Sequence, residues 1–273
     1  CLPFTVVNPK DVLLDTNQPA ERIVGVLQFL QKQGERFSPE DMDIFNAFSN
    51  LVAVAVHNRR LNEGLQEAFS TVKTLAEAIE SKDHYTYGHS KRVTEFALAI
   101  FDEIAGVPED RKALEIAALL HDVGKVGIRP DLLQKEGELT DEEYEHVRSH
   151  PEISYHILKK TRHFRKILPA IRHHHERFDG RGFPDGLRGD DINLAAKIIS
   201  VADAFDAMTS DRPYRQAMSQ EDAAAELRRG SGTQFDPRIV EAFLLAREKG
   251  KIQPTIGKWS EDANNASRHT GGI

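Results

Sequence analysis

The chain has 273 residues, with 36 basic and 43 acidic side chains and a net charge of -7 at pH 7. This mild acidity argues against a protein that binds nucleic acid polymers through a basic surface, and no apolar run reaches the ~20 residues that a membrane-spanning helix needs. The single cysteine, Cys1, permits no disulfide within the chain, which indicates a reducing compartment and predicts a cytoplasmic protein. Because the chain begins with Cys, we expect a fragment of a longer protein, and an upstream membrane anchor stays open.

The first 57 residues predict a small α/β unit that leads into a helix. The segment Ile23–Leu30 is apolar and β-branched between polar, turn-like neighbours, which predicts a buried strand. Ser38 and Pro39 then have the residue types of a helix cap and a first helical position. A helix is therefore expected to begin there.

The following segment, residues 40–80, predicts one long helix with a heptad pattern. A polar residue, Asn58, falls at a core position of that pattern, where it can fix the register of a coiled coil. An ordinary amphipathic helix is the alternative, because the flanking positions lack the charges of a strong coiled coil and Gly64 weakens the helix. The two seven-residue series are Leu51, Asn58, Leu65, Val72 and Ile79, and Val54, Leu61, Ala68 and Leu75.

From residue 71 to about residue 250 the apolar residues recur at helical spacing, which predicts a mainly α domain. The tail at residues 254–273 is polar and aperiodic, which predicts disorder.

Several ionisable residues of this helical region occupy positions where the spacing favours an apolar side chain. A single histidine at such a position is more often a hydrogen-bonded core residue than a metal ligand, but several together favour a metal site inside a helical bundle. Imidazole and carboxylate ligands without cysteine suit iron, manganese, zinc or nickel. Asp122 is the best candidate to bridge two ions. The residues on the apolar faces are His89, His121, His174, His175 and Asp203.

Basic residues accompany this predicted site. Lys125 follows His121 and Asp122 by one turn, with Gly124 allowing the helix to end. Arg212 and Arg215 follow the helix of Asp203, and guanidinium groups suit phosphates and guanine edges. Each of them alone is typical of a surface charge. The remaining histidines are predicted to be surface residues (His57, His84, His146, His156, His163 and His269), and His173 is left out because it lacks the helical phase of its two neighbours.

Five motifs in this order resemble the HD-GYP family, a branch of the HD phosphohydrolases. They are GHSKR (88–92), HDVGK (121–125), HP (150–151), HHERFDGRGFPDGL (174–187) and VADAFDAMTSDRPYR (201–215). The resemblance implies an HD-type helical bundle with a metal site over residues 71–250. Residues 1–57 resemble the C-terminal part of a GAF sensor domain, joined to the bundle by the long connecting helix.

The HD-GYP resemblance implies hydrolysis of cyclic di-GMP to linear pGpG, sometimes onward to GMP, by a hydroxide that iron or manganese ions activate. It implies that Lys125 contacts the scissile phosphate and that Arg212 and Arg215 hold guanine or phosphate. The implied metal ligands are His89, His121, Asp122, His150, His174, His175 and Asp203, and the implied signature loop contains Gly180, Gly182, Phe183 and Pro184.

The chain departs from the family pattern at two positions. Phe183 stands where the family name has Tyr, so the ring is kept and its hydroxyl is lost. Tyr85 stands where some members have a Glu that binds a third metal. We therefore predict two divalent ions and mainly pGpG as product. A weakly held third ion stays open, since His89 is retained.

Other functions remain as alternatives. One is an HD phosphohydrolase acting on another nucleotide, such as cyclic GMP-AMP or a nucleoside phosphate. A second is a non-catalytic receptor for cyclic di-GMP, although the complete set of implied ligands argues against it. A third is a structural dimerisation module, which leaves the buried polar cluster unexplained. The expected partners are a second copy of the chain, paired through the connecting helix, and GGDEF-type or other signalling proteins.

Overall fold

The computed structural model describes residues 5–7, 26–28, 38–80, 88–104, 106, 110–135, 137–211 and 216–252. The chain divides into two compact units, Cys1–Val72 and Lys73–Ile273. Tyr85, Arg212, Arg215 and the tail at 254–273 lie outside the described residues.

In the described part of the first unit, two short strands pair. Strand β1 (Thr5–Val7) pairs antiparallel with β2 (Val26–Gln28), with Val6 opposite Leu27. Strand β2 lies within the predicted strand, whose other residues are outside the described part. The assignment of residues 1–57 to a partial GAF domain stays a prediction.

Helix α1 (Pro39–Glu80) runs for 42 residues, through Gly64, and contains the boundary between the two units. Its start is confirmed where the sequence predicts it. The Asp41 N–H donates to Ser38 Oγ at 3.1 Å, and the Ser38 N–H donates to Asp41 Oδ2 at 2.8 Å. These reciprocal bonds satisfy backbone donors that a helix start leaves open.

The second unit is mainly helical, which confirms the predicted fold class. Within the described residues, none of the helices combines the length and apolarity that a membrane crossing requires. Beyond the end of α1, its described residues form the helices α2 (His89–Phe101), α3 (Arg111–Leu120), α4 (Pro130–Leu133), α5 (Asp141–Arg148), α6 (His150–Leu158), α7 (Leu168–His173), α8 (Leu194–Thr209), α9 (Gln220–Arg229) and α10 (Pro237–Glu248). Short 3-10 segments lie at Val123–Gly127, Arg162–Phe164 and Gly189–Asp191.

The core of this unit forms where α2, α3, α8 and α10 pack together. Phe205 of α8 lies at its centre, with ring centroids 5.4 Å from Phe96 and 4.8 Å from Phe243. Ile100, Leu114 and the two outer rings are buried around it. Burial of this many large apolar side chains stabilises the bundle through the hydrophobic effect.

A buried ion pair fixes the start of α10. The Asp236 side chain accepts the Arg238 N–H at 2.9 Å, and its Oδ2 lies 3.0 Å from Nζ of the buried Lys197 on α8. Burial alone raises the pKa of Asp236, but the hydrogen bonds from Arg238 and Lys197 lower it below its ordinary value. The pair therefore joins two helices and caps one of them.

Candidate metal centre

The candidate site forms where helix ends meet inside the second unit. His89 is the first residue of α2, behind Gly88, which has a φ of 71°. His121 and His174 are the residues that follow α3 and α7, and His150 begins α6. All four histidines are buried. His175 and the α8 residue Asp203 are partly exposed beside them.

Three of these histidines are oriented by the same local bond. Nδ1 of His121 lies 2.7 Å from the Ala118 carbonyl, three residues earlier in the chain. His150 and His174 repeat this contact, at 2.8 Å and 2.7 Å, with the carbonyls of Val147 and Ile171. Because a carbonyl only accepts, Nδ1 carries the proton in each ring. Each Nε2 therefore has a lone pair for a cation.

His89 is oriented instead by a partner that sequence reasoning missed. Its Nδ1 lies 2.7 Å from Oδ2 of the buried Asp206, which also accepts from Arg92 Nε at 2.5 Å. Burial lowers the pKa of His89, but Asp206, then Asp203 and Asp122, raise it more, so it lies above its usual value. Carboxylates that favour a proton on this ring favour a metal cation there as well.

The side chains gather into two sets, in each of which one ligand atom per residue lies within 4.8 Å of the others. We name them set 1 and set 2. Set 1 contains His89, His121 and Asp203. Set 2 contains Asp122, His150, His174 and His175.

Asp122 belongs to set 2 and also lies close to set 1, with one carboxylate oxygen near the histidines of each set. Its Oδ1 lies 3.1 Å from Nε2 of His150 and 3.9 Å from Nε2 of His174. Its Oδ2 lies 3.5 Å from Nε2 of His121 and 3.7 Å from Nε2 of His89. A carboxylate in this position can bridge two cations.

The donor set fits divalent cations on two observations. Nε2 of His121 is buried and has no hydrogen-bond partner within the described part of the chain. In set 2, Nε2 of His150 lies 3.4 Å from Nε2 of His174, and both rings carry their proton on Nδ1, so two lone pairs face each other. Lone pairs that converge this closely repel one another unless a cation lies among them. Imidazole and carboxylate together suit iron, manganese, zinc or nickel.

The electrostatics of set 2 favour the metal-binding protonation states. Burial, followed by the neighbouring His175, lowers the pKa of His174 well below its usual range. Burial and then His150 do the same to the pKa of His175. Burial alone raises the pKa of Asp122, but Lys125, His121 and His150 together bring it well below its ordinary value. These shifts favour neutral imidazoles at His174 and His175 and an ionised carboxylate at Asp122, the forms that bind a metal ion.

Lys125 is close to the bridging carboxylate, with Nζ 2.6 Å from Asp122 Oδ2. The expected role of Gly124 is wrong, because α3 already ends at Leu120 and Gly124 lies inside the 3-10 segment. A Cβ at Gly124 would overlap the His150 carbonyl and would lie 2.6 Å from the Ser154 backbone nitrogen. Glycine is thus needed for close approach of α6.

The predicted signature loop lies beside set 2. The ring of Phe183 stacks on His175, with centroids 5.0 Å apart and planes at 28°. A Cβ at Gly182 would overlap the backbone of Glu176 and Arg177, so the loop lies directly against the residues that follow His175. The Phe183–Pro184 peptide is cis, and Gly180 has a φ of 82°.

Three further residues of this region were missed by sequence reasoning. Ser154 Oγ accepts from the Gly124 N–H at 2.7 Å and donates to the His121 carbonyl at 3.0 Å, which joins α6 to the end of α3. The buried Glu176 accepts the Asp185 N–H at 2.7 Å and so holds the loop. Asp185 joins the loop to α7, since Arg172 Nε donates to its carboxylate at 2.8 Å.

Of the six histidines predicted to lie at the surface, two are confirmed. His156 and His163 are exposed. His173 lies in neither set, and its Nε2 hydrogen-bonds Asp185 at 2.9 Å. His146 differs from the prediction, because it is half-buried and its Nε2 is buried without a hydrogen-bond partner among the residues described. The side chains of His57, His84 and His269 lie outside the described part.

Comparisons with known proteins place this geometry in context. A cyclic di-GMP phosphodiesterase response regulator of Xanthomonas campestris pv. campestris is 38% identical over 203 residues, which are 73% of this chain and 53% of that protein. A 3'3'-cGAMP-specific phosphodiesterase of Vibrio cholerae is 38% identical over 64% of this chain and 38% of its own length. A cyclic di-GMP phosphodiesterase of Thermotoga maritima is 38% identical over 64% of this chain and 48% of its own length. The chain thus spans about half or less of the length of these curated relatives.

A solved structure and a family model also match this chain. The crystal structure of a cyclic GMP-AMP-specific phosphodiesterase of Vibrio cholerae superposes with a TM-score of 0.54 at 18% identity, over 67% of this chain and 49% of that chain. At this identity the likeness shows the fold. The family model described as HD domain matches residues 73–239, which is more than half of the chain. The chain therefore belongs to the HD domain family.

Proposed function

We propose that the chain is a phosphodiesterase of the HD-GYP branch that uses two divalent ions, iron or manganese, to hydrolyse cyclic di-GMP to linear pGpG. The observation that carries the proposal is the pair of ligand sets with Asp122 between them. Relatives that bear the name cyclic di-GMP phosphodiesterase support the substrate. Tyr85, in place of a carboxylate, supports two ions and pGpG as the main product.

The proposed ligands divide between the sets. His89, His121 and Asp203 would hold one ion, His150, His174 and His175 would hold the second, and Asp122 would contact both. Ions bound there supply an activated water nucleophile and stabilise negative charge on the phosphate. The chain itself needs no nucleophilic side chain for this reaction.

The residues around the ions would bind and orient the phosphate. Lys125 is partly exposed, and its ammonium lies beside Asp122, where it can bind a non-bridging phosphate oxygen and stabilise the charge that develops on it. Gly182, Phe183 and Pro184 would form one wall of the pocket. Arg212 and Arg215 would hold the guanine or the second phosphate.

A second substrate is favoured by one observation. A relative of 38% identity bears the name 3'3'-cGAMP-specific phosphodiesterase. The two cyclic dinucleotides share the phosphodiester and differ in one base. The chemistry of the two ligand sets does not distinguish them, so both belong in the test.

The test is turnover of each dinucleotide by protein loaded anaerobically with Fe²⁺ or Mn²⁺. We expect pGpG from cyclic di-GMP, and a loss of at least about 100-fold in rate for Asp122→Asn, because removal of the bridging charge weakens both ions. Asp131→Asn is the matched control, since Asp131 is an exposed carboxylate paired with Arg129. Tight binding of cyclic di-GMP without turnover would favour a receptor, and preferential cleavage of cyclic GMP-AMP would change the substrate.

We also propose a homodimer through α1. The apolar residues Ile44, Leu51 and Val54 of this helix are 63%, 70% and 60% exposed, at the spacing of the predicted heptads. Leu51→Asp should lower the mass measured by sedimentation from dimer to monomer. A wild type that sediments as a monomer at micromolar concentration would contradict this part of the proposal.

A further inference from the structure

His175 differs from the other histidines of the two sets in what orients its ring. Nδ1 of His89, His121, His150 and His174 is held by a carboxylate or a carbonyl. Within the described residues, the hydrogen bond of the His175 ring is the one between its Nε2 and His150. The orientation of His175 therefore depends on packing.

The His175 ring packs against the rings of His174 and His150, whose centroids lie 4.1 Å and 5.0 Å away. Phe183, which belongs to neither set, adds two further contacts. Its ring stacks on the His175 imidazole with centroids 5.0 Å apart. Its backbone N–H donates to the His175 carbonyl at 3.3 Å. Loss of the Phe183 ring would therefore remove a packing contact that orients His175 from outside set 2.

Arg148 holds the Phe183 ring in turn. Its guanidinium carbon lies 4.5 Å from the centre of that ring, a cation–π contact. Arg148 is the last residue of α5 and precedes His150 by two residues. The contact thus joins the segment that carries His150 to the loop that packs on His175, and both histidines belong to set 2.

We infer that Arg148 is a positioning residue for set 2, which acts through the ring of Phe183 to hold His175 in a metal-binding orientation. The inference rests on the metal centre of the proposed function. It gives a partly exposed arginine a role that neither its charge nor its hydrogen bond to Glu145 on the same helix explains.

The sign of the effect on metal affinity separates positioning from simple electrostatics. A positive charge near a cation site repels the cation, so removal of the Arg148 charge alone should strengthen metal binding. Loss of a residue that orients a ligand through its surroundings weakens metal binding, typically by about 10- to 100-fold. If Arg148 positions a ligand, its removal should weaken metal binding, whereas loss of its charge alone should strengthen it.

The experiment is a Mn²⁺ titration of metal-free protein, with free Mn²⁺ measured by electron paramagnetic resonance. We expect two ions per wild-type chain, and about tenfold weaker binding of one of them in Arg148→Met and in Phe183→Leu. Phe183→Tyr keeps the ring and should bind as the wild type does. The double variant, Arg148→Met with Phe183→Leu, should bind Mn²⁺ no more weakly than either single variant, because both substitutions break the same chain of contacts.

Two controls keep the outcomes distinct. Arg165→Met removes a positive charge from an exposed site and should leave both affinities unchanged. Arg148→Lys keeps the charge but loses the planar guanidinium, and should give an intermediate weakening even if Arg148→Met fails to fold. Wild-type affinity, or a tighter one, for both ions in folded Arg148→Met and Arg148→Lys would overturn the inference alone. A wild type that binds no Mn²⁺ would overturn the metal centre, and the inference with it.

Discussion

Substitution of Asp206 tests how far metal binding at set 1 depends on residues that hydrogen-bond its predicted ligands. Asp206 is buried and accepts from His89 Nδ1 at 2.7 Å and from Arg92 at 2.5 Å and 3.0 Å. Asp206→Asn keeps the shape but turns an amide NH₂ toward one of these donors. Hydrogen bonds to charged groups contribute about 1.5–3 kcal/mol each. Because the Arg92 side chain is 19% exposed and keeps some contact with water, we expect a loss of about 2–3 kcal/mol in the free energy of unfolding.

The same substitution should act on metal binding at one set only. Without the carboxylate, the His89 ring loses the bond that orients Nε2, so the ion of set 1 should bind about 10- to 100-fold more weakly. The ion of set 2 should keep its affinity. Urea unfolding and Mn²⁺ titration measure the two effects separately.

Asp102→Asn is the matched control for Asp206→Asn. Asp102 accepts from Arg111 Nε at 3.0 Å with the same side-chain chemistry, but at an exposed site. We expect a change below about 1 kcal/mol for this exposed pair. Equal destabilisation by both substitutions, with both ions bound at wild-type affinity in Asp206→Asn, would refute the reasoning.

Two further substitutions test packing and a buried charge. Gly124→Ala should lower the free energy of unfolding by about 3 kcal/mol, because the added methyl would overlap the His150 carbonyl. The control Gly137→Ala places its methyl in open space and should change the free energy of unfolding in urea by less than about 0.5 kcal/mol. Similar values for both substitutions would contradict the close approach of α6 to Gly124. Asp236→Asn should cost about 2 kcal/mol at pH 7, since it leaves the buried Lys197 without an anionic partner on α10. Because the pKa of Asp236 is depressed in the folded state, this difference should be full above the unfolded pKa of about 3.9 and should shrink as the pH falls below it. A difference that stays constant down to about pH 3 would count against the ion pair.

Helical periodicity indicated part of the candidate site because it detects polar residues where apolar ones are expected. His89, His121 and Asp203 were found in this way, and the structure gathers them into one set. His150 has no such signal, since it follows a helix end in a polar segment, and only the family resemblance indicated it. Its position in set 2 comes from the tertiary fold.

The partners of the predicted ligands could not be read from local patterns. Asp206 meets His89 across 117 residues of chain, and Ser154 meets His121 across 33. Spacing along one helix contains no information about such pairs. The position of Asp206 three residues after Asp203 on α8 was the one available signal, because residues at that spacing share a helix face. Gly124 was predicted to end a helix, whereas the structure shows that it allows the close approach of α6. The local sequence contains no information about contact with another helix.

The bonds from Nδ1 of His121, His150 and His174 to carbonyls three residues earlier have a consequence for the metal-free protein. Those carbonyls belong to the last turns of α3, α5 and α7, where a helix leaves its acceptors open. Each of these bonds therefore caps a helix and orients the lone pair on Nε2 of the same ring. Rotation of the ring about its side-chain bonds is restricted as soon as its helix forms. At the proposed metal centre, the entropic cost of ordering these three rings would therefore be met on folding, before an ion binds. Small zinc domains that unfold without their ion behave in the opposite way. This bundle has an apolar core around Phe205, so we expect it to stay folded without ions.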